Sequence, residues 1–424
     1  MLQVVILNGS NDFVMSSPKL IVIIPTLKRP DTLYWTLRTV LNQQYNNYSI
    51  IVSDNCSNDN TADVVASFNS DKITYIQPAK KLSMSHHWEF ALEYVDDGYV
   101  TILGDDDGML PGGLQKVAAL IQKHKVPAVG WRFGNFNWKG LPPYFMIPMA
   151  NYYRVIDAPT EIKKIFAQSI YRTIQFPSLY GGFIHIDLIK ELKKRHGGVF
   201  FHSRIPDFFS GALVAASIKN YIRAEFPITI NATSRHSAGF ATINAKNDQT
   251  AFIDLQKQEG NIPFHKDLTF IRSNAIPIAE AMLQVHELVP SFPKVNIEKV
   301  LKEVIEEAVT TPTEEKFDGL LEGVRQITEM NNLNNPTSDF LKNIVQKPQP
   351  ETVKKKFSPV SFSLYIDTTE TTINNIEDAC NFTSSIVPSD FIELKSKLFK
   401  NYLRFSALTR YLYFKYISDK RIYL

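Results

Sequence analysis

The chain has 424 residues, 44% of them apolar and 21% charged, with a formal net charge of +3. That length predicts two domains, or one large α/β domain with an appendage, and the composition is that of a soluble globular protein. No apolar run is long enough for a bilayer span, and Met1–Ser17 has neither the basic start nor the small-residue cleavage site of a secretory signal. Cys56 and Cys380 alone build neither a zinc site nor a disulfide framework, so a cytoplasmic protein is expected.

After a weakly specified leader, residues 1–18, the pattern becomes regular. Leu20–Ile24, Ser49–Ser53, Ile73–Ile76, Tyr99–Leu103 and Ala128–Trp131 read as strands. Thr32–Gln43, Thr61–Phe68, Ser85–Val95 and Gly112–His124 read as the helices between them. Such alternation predicts a mostly parallel sheet with both faces covered. A Gly/Pro/aromatic-rich stretch from Gly134 to Tyr153 interrupts it as a loop or a mixed-sheet insertion. Helices are then expected near Thr160–Ser169 and over Asp187–Arg195, and an apolar segment over Leu179–Ile186. A buried helix opened by Pro206-Asp207 and a strand over Phe226–Ile230 follow. Beyond about Asn244 helical patterns dominate, over Leu268–Val285, with Pro277 as a possible kink, and Ile297–Val309; Asn332–Lys356 reads as a linker. The last stretch, Phe391–Leu424, holds eight Lys/Arg against two acids, interleaved with aromatics. It suits a helix packed on the protein or lying on an anionic lipid surface; no recognition module accompanies it, so nucleic acid is not an expected partner.

The chemistry concentrates where Tyr99–Leu103 ends in Gly104-Asp105-Asp106-Asp107-Gly108. Three adjacent acids repel one another, so the run is either a solvated turn or a hard-cation site of the Mg²⁺ or Mn²⁺ kind. A buried strand would deliver them to its carboxyl end, where open α/β sheets bind ligands. Neither a dinucleotide fingerprint nor a P-loop occurs anywhere in the chain.

Ile23-Ile-Pro-Thr26, Val52-Ser-Asp-Asn-Cys-Ser-Asn-Asp59 and Leu103-Gly-Asp-Asp-Asp107 together resemble a glycosyltransferase of family 2 with a GT-A fold, over roughly Lys19–Gly239. The resemblance implies an α/β nucleotide-diphospho-sugar transferase domain over 19–243 and a mainly helical region over 244–424. It implies transfer of a sugar, with inversion in the family's manner, from a nucleotide-diphosphate sugar, UDP-sugar by default, to a hydroxyl of a saccharide or lipid-linked acceptor. Bacterial surface polysaccharide synthesis is the implied setting, with peripheral membrane contact through the tail. On this reading Pro25 and Thr26 line the base pocket, Arg29 meets a phosphate, and Asp54 binds the nucleoside. Asp105 and Asp106 face the donor diphosphate. A divalent ion, Mn²⁺ or Mg²⁺, is held by Asp106, Asp107 and His236, and the register among the three aspartates stays open.

Asp207 falls where the family places its catalytic base, with Pro206 in place of the usual Glu. The family's glycine-containing motif is also altered, with Ser83, His86, His87 and Trp88 in its region. Two other readings compete. A nucleotidyltransferase would carry a Gly-rich basic loop after the first strand, and Pro25–Pro30 has no glycine. A non-catalytic nucleotide-sugar-binding or scaffold protein would keep Asp54 but have no use for Asp207 as a base.

Overall fold

The computed structural model describes residues 17–235, 262–311, 314–333, 356–358 and 362–394. Its frame is a nine-stranded mixed sheet in the order β15-β9-β11-β6-β10-β4-β1-β2-β3. The strands are β1 (Leu20–Thr26), β2 (Tyr48–Asp54), β3 (Ile73–Ile76), β4 (Tyr99–Ile102), β6 (Ala128–Trp131), β9 (Tyr152–Asp157), β10 (Gly182–His185), β11 (Asn220–Ala224) and β15 (Ile392–Glu393). β1 lies parallel between β2 and β4, and β10 is antiparallel to both β4 and β6. A second, six-stranded sheet, β13-β14-β8-β7-β12-β5, joins β5 (Gly108–Met109), β7 (Gly134–Asn137), β8 (Phe145–Pro148), β12 (Thr229–Thr233), β13 (Lys356–Ser358) and β14 (Ser363–Ile366). This is an α/β fold with a mixed sheet covered by helices on both faces, the class that the alternation predicts.

Why β1 is an unbroken apolar run follows from its place. Ile21 and Ile23 face one core, Leu20, Val22 and Ile24 the other, so a central strand covered on both faces has no polar side. One face is covered by α1 (Pro30–Leu41) and α4 (Gly113–His124), the other by α3 (Met84–Leu92), α5 (Ala158–Gln168), α6 (Ile186–Arg195) and α7 (Pro206–Ser217). In α1 Pro30 opens the helix, Asp31 meets its positive end, and Leu33, Leu37 and Val40 form the buried stripe. The short α2 (Thr61–Ser67) follows β2.

Several elements differ from the sequence expectation. Pro227 divides the expected strand over Phe226–Ile230, because proline cannot donate to a ladder; β11 ends at Ala224 and β12 begins at Thr229. The interruption from Gly134 to Tyr153 contains β7, β8 and the start of β9. The helix expected from Leu268 begins only at Ala275, as α8 (Ala275–Leu288). Pro277 therefore falls in the first turn, where no intrahelical donor is required, and does not act as a kink.

The chain beyond 244 is more than helices. Alongside α9 (Ile297–Val309) and α10 (Glu314–Met330), β14 pairs with β8 and β15 with β9, so this region supplies edge strands to both sheets. α11 (Ile376–Ile386) seats Ile376, Ala379 and Cys380 in the core of the second sheet. Most of the expected linker and nearly all of the basic tail lie outside the described residues.

Candidate functional site

The acidic turn sits at the carboxyl end of β4. Leu103 N–H donates to Ile23 O at 2.9 Å, which ties the turn to β1. Thr36 Oγ1 donates to Asp107 O at 2.7 Å, and Trp138 Nε1 donates to Asp106 O at 2.9 Å. The turn is thus gripped by α1 on one side and the β7–β8 connection on the other. It is no solvated turn, since Asp105, Asp106 and Asp107 are 4%, 4% and 1% exposed.

Each carboxylate has a different set of partners. Asp105 accepts from Thr26 Oγ1 and Arg29 Nη1, both at 2.8 Å. Burial pushes its carboxyl up to about 6, against the pull of Arg29. Asp106 accepts from Ser234 Oγ at 2.7 Å and lies 3.8 Å from Arg29 Nη1. Asp107 accepts from Ala232 N–H at 2.6 Å, Gly104 N–H at 3.1 Å and the Tyr180 hydroxyl at 2.5 Å. Burial and the neighbouring Asp106 push Asp107 up to about 8. Gly104 is required here: a Cβ would stand 2.7 Å from Asp107 Oδ2 and 2.9 Å from the Tyr180 hydroxyl.

The residues expected on the nucleoside side, Pro25, Thr26 and Asp54, lie together at the ends of β1 and β2. Asp54 is 1% exposed at the end of β2, where its Oδ1 accepts from Ser57 N–H at 2.8 Å and its Oδ2 from the Tyr75 hydroxyl at 2.5 Å. Asn55 N–H donates to Thr26 O at 2.9 Å, joining the ends of β1 and β2 beside Pro25. Asp59 accepts from Thr61 N–H at 3.0 Å, one residue ahead of Asn60, which holds the cap position of α2. His86 and His87 point apart. His87 is buried against Ser53 Oγ at 2.8 Å, and burial lowers its pKa to about 4, so it is neutral; His86 meets Ser83 Oγ at 2.7 Å.

Asp207 stands in the first turn of α7, half-buried. Its carboxylate accepts from the backbone N–H groups of its own turn, at Asp207 and Phe208, yet burial pushes it up to about 6, the range of a working base. Tyr180 connects the two sides. Its ring stacks on Trp88 with centroids 6.1 Å apart, its hydroxyl meets Asp107, and Asp207 is close enough to add to the upward shift that burial gives its phenol. Tyr180, Ser234, Trp138 and Thr36 were not singled out in the sequence. Of these, only Tyr180 carried a signal, as the lone hydroxyl-bearing aromatic within the apolar segment after Leu179. Arg235 donates to Gly140 O at 3.0 Å, and His236 lies outside the described residues.

Among the described residues no three His, Cys, Asp or Glu side chains converge as a ready-made metal cage. Asp105 and Asp106, with the Ser234 hydroxyl, are hard oxygen donors. They fit a cation of the Mg²⁺ or Mn²⁺ class that keeps water and substrate phosphate as its other ligands. Asp105 is also engaged on both oxygens, by Thr26 and Arg29, and Asp107, held by three donors, braces the turn against β12 as well.

Residues 21–179 match the model of glycosyl transferase family 2. The GalNAc(5)-diNAcBac-PP-undecaprenol beta-1,3-glucosyltransferase of Campylobacter jejuni is 35% identical over 109 residues, which cover 25% of this chain and 34% of that protein. The putative glycosyltransferase EpsE of Bacillus subtilis is 28% identical over 113 residues, 26% of this chain and 41% of that protein. The chain thus spans only 34% and 41% of the length of these curated relatives. Among solved structures, S. aureus TarS 1–349 in complex with UDP-GlcNAc aligns over 80% of this chain and 94% of its own, with 15% identity and a TM-score of 0.46. The mannosyltransferase PcManGT from Pyrobaculum calidifontis, in complex with GDP-Man and Mn²⁺, aligns over 75% and 88%, with 14% identity and a TM-score of 0.37.

Proposed function

We propose, from the match of residues 21–179 to the model of glycosyl transferase family 2, that the chain is a glycosyltransferase that moves a sugar from a nucleotide-diphosphate sugar to an acceptor hydroxyl, with inversion and assisted by a divalent ion. The observation that carries the reading is the opposition of two carboxylate groups across Tyr180: the acidic turn on one side and the raised, half-buried Asp207 on the other.

On this reading Asp54 holds the nucleoside and Arg29, clamped on Asp105, faces the diphosphate. Asp105 and Asp106 would hold the ion, which when bound supplies positive charge to the departing diphosphate. Asp207 takes the proton of the acceptor hydroxyl as its oxygen bonds to the anomeric carbon. The bond from that carbon to the diphosphate oxygen breaks, and the electron pair leaves on the nucleoside diphosphate. The buried Asp107 keeps the turn fixed while charge shifts around it.

Uridine is the default nucleotide, and the acceptor is a saccharide or lipid-linked saccharide of bacterial surface polysaccharide synthesis. The C. jejuni relative is named for an undecaprenol-linked acceptor. No helix among the described residues is long and apolar enough to cross a membrane. A cytoplasmic location with peripheral contact through the basic tail belongs to the same proposal. The test is a thermal-shift panel of nucleoside diphosphates with and without Mn²⁺, followed by hydrolysis assays on the matching nucleotide sugars. A ligand that binds only the folded chain must raise the midpoint. No shift with any diphosphate in the presence of Mn²⁺ would sink the proposal.

A further inference from the structure

α8 is buried on nearly every side. Residues 275–283 and Val285 all lie in the core, and among them stands one carboxylate, Glu280, 0% exposed. α8 shares that core with α7, the helix that opens with Asp207. Burying a carboxyl costs free energy that an apolar side chain of similar size would not, so its partners decide what it does there. Ser203 Oγ donates to Glu280 Oε2 at 2.5 Å, and Gln284 Nε2 donates to Oε1 at 2.8 Å. Burial pushes the Glu280 carboxyl up; these two bonds, the His265 backbone and the charge of Arg204 work against that push.

The Ser203 bond leads to Asp207. The same hydroxyl accepts at 3.1 Å from the N–H of Ile205, the residue on which α7 begins. Ser203 O accepts from Ser85 Oγ of α3 at 2.8 Å, and Arg204 Nε donates to Ile262 O at 2.7 Å. Pro206 has no N–H, and those of Asp207 and Phe208 turn to the Asp207 carboxylate itself. The first donors of α7 are thus divided between Ser203 and Asp207, so a shift at one end of the turn moves the other. Further along the helix, Ser210 Oγ donates to Asp207 O at 2.9 Å and accepts from Leu179 N–H at 3.2 Å, next to Tyr180.

We propose that Glu280 is a positioning residue for Asp207: through the Ser203 hydroxyl it fixes the turn that opens α7 and holds Asp207 where it meets the acceptor hydroxyl. That Asp207 takes the acceptor's proton rests on the transferase reading, whereas the hold of Glu280 on its turn rests on the bonds alone. An apolar residue at 280 would still pack α8 on α7. It would have no oxygen for Ser203, and the turn before Asp207 would be free to shift.

The experiment titrates Asp207 in the full chain by NMR, with isotope-labelled aspartate and the Asp207 signal identified by its loss in Asp207→Asn. In the wild type the midpoint should lie at about 6, because burial raises it. In Ser203→Ala and Glu280→Leu the loosened turn admits water, and the midpoint should fall toward the ordinary value of about 4. Glu280→Gln retains an oxygen for Ser203 and should keep most of the upward shift. Gln284→Ala removes the other side-chain donor to Glu280 but not Ser203, and should keep it too. Cooperative thermal unfolding shows that each variant is folded. Amide exchange needs no variant: Ile205 N–H should be as protected as the interior of α7. An unchanged midpoint in both Ser203→Ala and Glu280→Leu, an equal fall in all four variants, a wild-type midpoint already at about 4, or fast exchange at Ile205 overturns the proposal. Turnover supplies a second reading, on whichever of UDP-glucose, UDP-N-acetylglucosamine and GDP-mannose the wild type hydrolyses fastest with Mn²⁺. Ser203→Ala and Glu280→Leu should lower kcat about 10- to 100-fold with KM unchanged. A raised KM with unchanged kcat overturns the proposal as well. No hydrolysis of any of the three by the wild type is a different result, which counts against the transferase reading and leaves the titration to decide what holds Asp207.

Discussion

On the proposed reading, the donor side at the acidic turn and the acceptor side at Asp207 are built on different electrostatic plans. On the donor side the acids come from the ends of adjacent strands, and each has partners before any ligand arrives: Thr26 and Arg29 for Asp105, Ser234 for Asp106, Tyr180 and two backbone amides for Asp107. On the proposed acceptor side Asp207, among the described residues, accepts only from backbone amides of its own helix turn. A side that arrives satisfied can be rigid before its ligand binds, whereas an unsatisfied side draws its remaining partners from the substrate.

The largest expected break in this contrast is Asp207→Asn. An amide cannot take the proton, so transfer should fall about 10²- to 10⁴-fold while the UDP-induced thermal shift persists. Loss of both together would place Asp207 in donor binding. The pH profile sharpens the same point. Asp207 must be ionised to act, and its carboxyl is pushed up to about 6, so the rate should fall as pH drops through 6, with about a tenth of the base ionised at pH 5. Stability runs the other way. A carboxyl whose folded pKa is raised binds its proton more tightly in the folded state, so its contribution to stability grows as pH falls from about 7 toward 4. In Asp207→Asn the acid limb of the rate profile should be absent from residual activity, and stability should gain less between pH 7 and 5. An unchanged acid limb would assign it to another group.

Tyr180→Phe comes next in size. It removes the shared hydroxyl and leaves the buried Asp107 one donor short, a cost of about 1.5–3 kcal/mol for a bond to a charged group. Transfer and thermal midpoint should fall together, with the stack on Trp88 retained. A drop in midpoint with full activity would make Tyr180 a fold residue only.

Much of the acidic turn's surroundings was legible in the sequence because its logic is local. An unbroken apolar run reads as a central strand, and acids directly after such a run read as a ligand site whatever folds around them. The role of each aspartate was not legible. Asp107 is turned inward by Ala232 N–H and the Tyr180 hydroxyl, partners 125 and 73 residues away in the chain. The C-terminal return was missed for the opposite reason: β13, β14 and β15 are three, four and two residues long, too short to show a period. α11 was there to be read, since Ile376, Ala379, Cys380, Thr383 and Ile386 are spaced as a buried helical stripe.

That return supports the donor side from behind, and two substitutions measure how. Gly108 follows the acidic turn directly, and a Cβ there would stand 2.6 Å from both Cys380 Sγ and Ile376 Cγ1. Gly108→Ala should overpack this contact and cost about 1–3 kcal/mol, with weaker UDP binding as the turn shifts. Full stability and binding would mean that α11 yields without consequence.

The smallest effect is expected at the visible link. Glu377 of α11 holds Arg38 of α1 through two bonds, at 2.7 and 3.1 Å. The Arg38 side chain is 44% exposed, however, and also lies 5.6 Å from the Trp35 ring, so part of its placement survives loss of the charge. Exposed pairs contribute about 0–1 kcal/mol, and Glu377→Gln keeps one acceptor for the guanidinium. Denaturant unfolding should therefore move by less than about 1 kcal/mol, less still in high salt, with UDP binding unchanged. A loss comparable to Gly108→Ala would mean that α11 is held on α1 by charge, whereas a minor loss leaves the apolar contact of Ile376 and Cys380 behind Gly108 as what couples the C-terminal segment to the acidic turn.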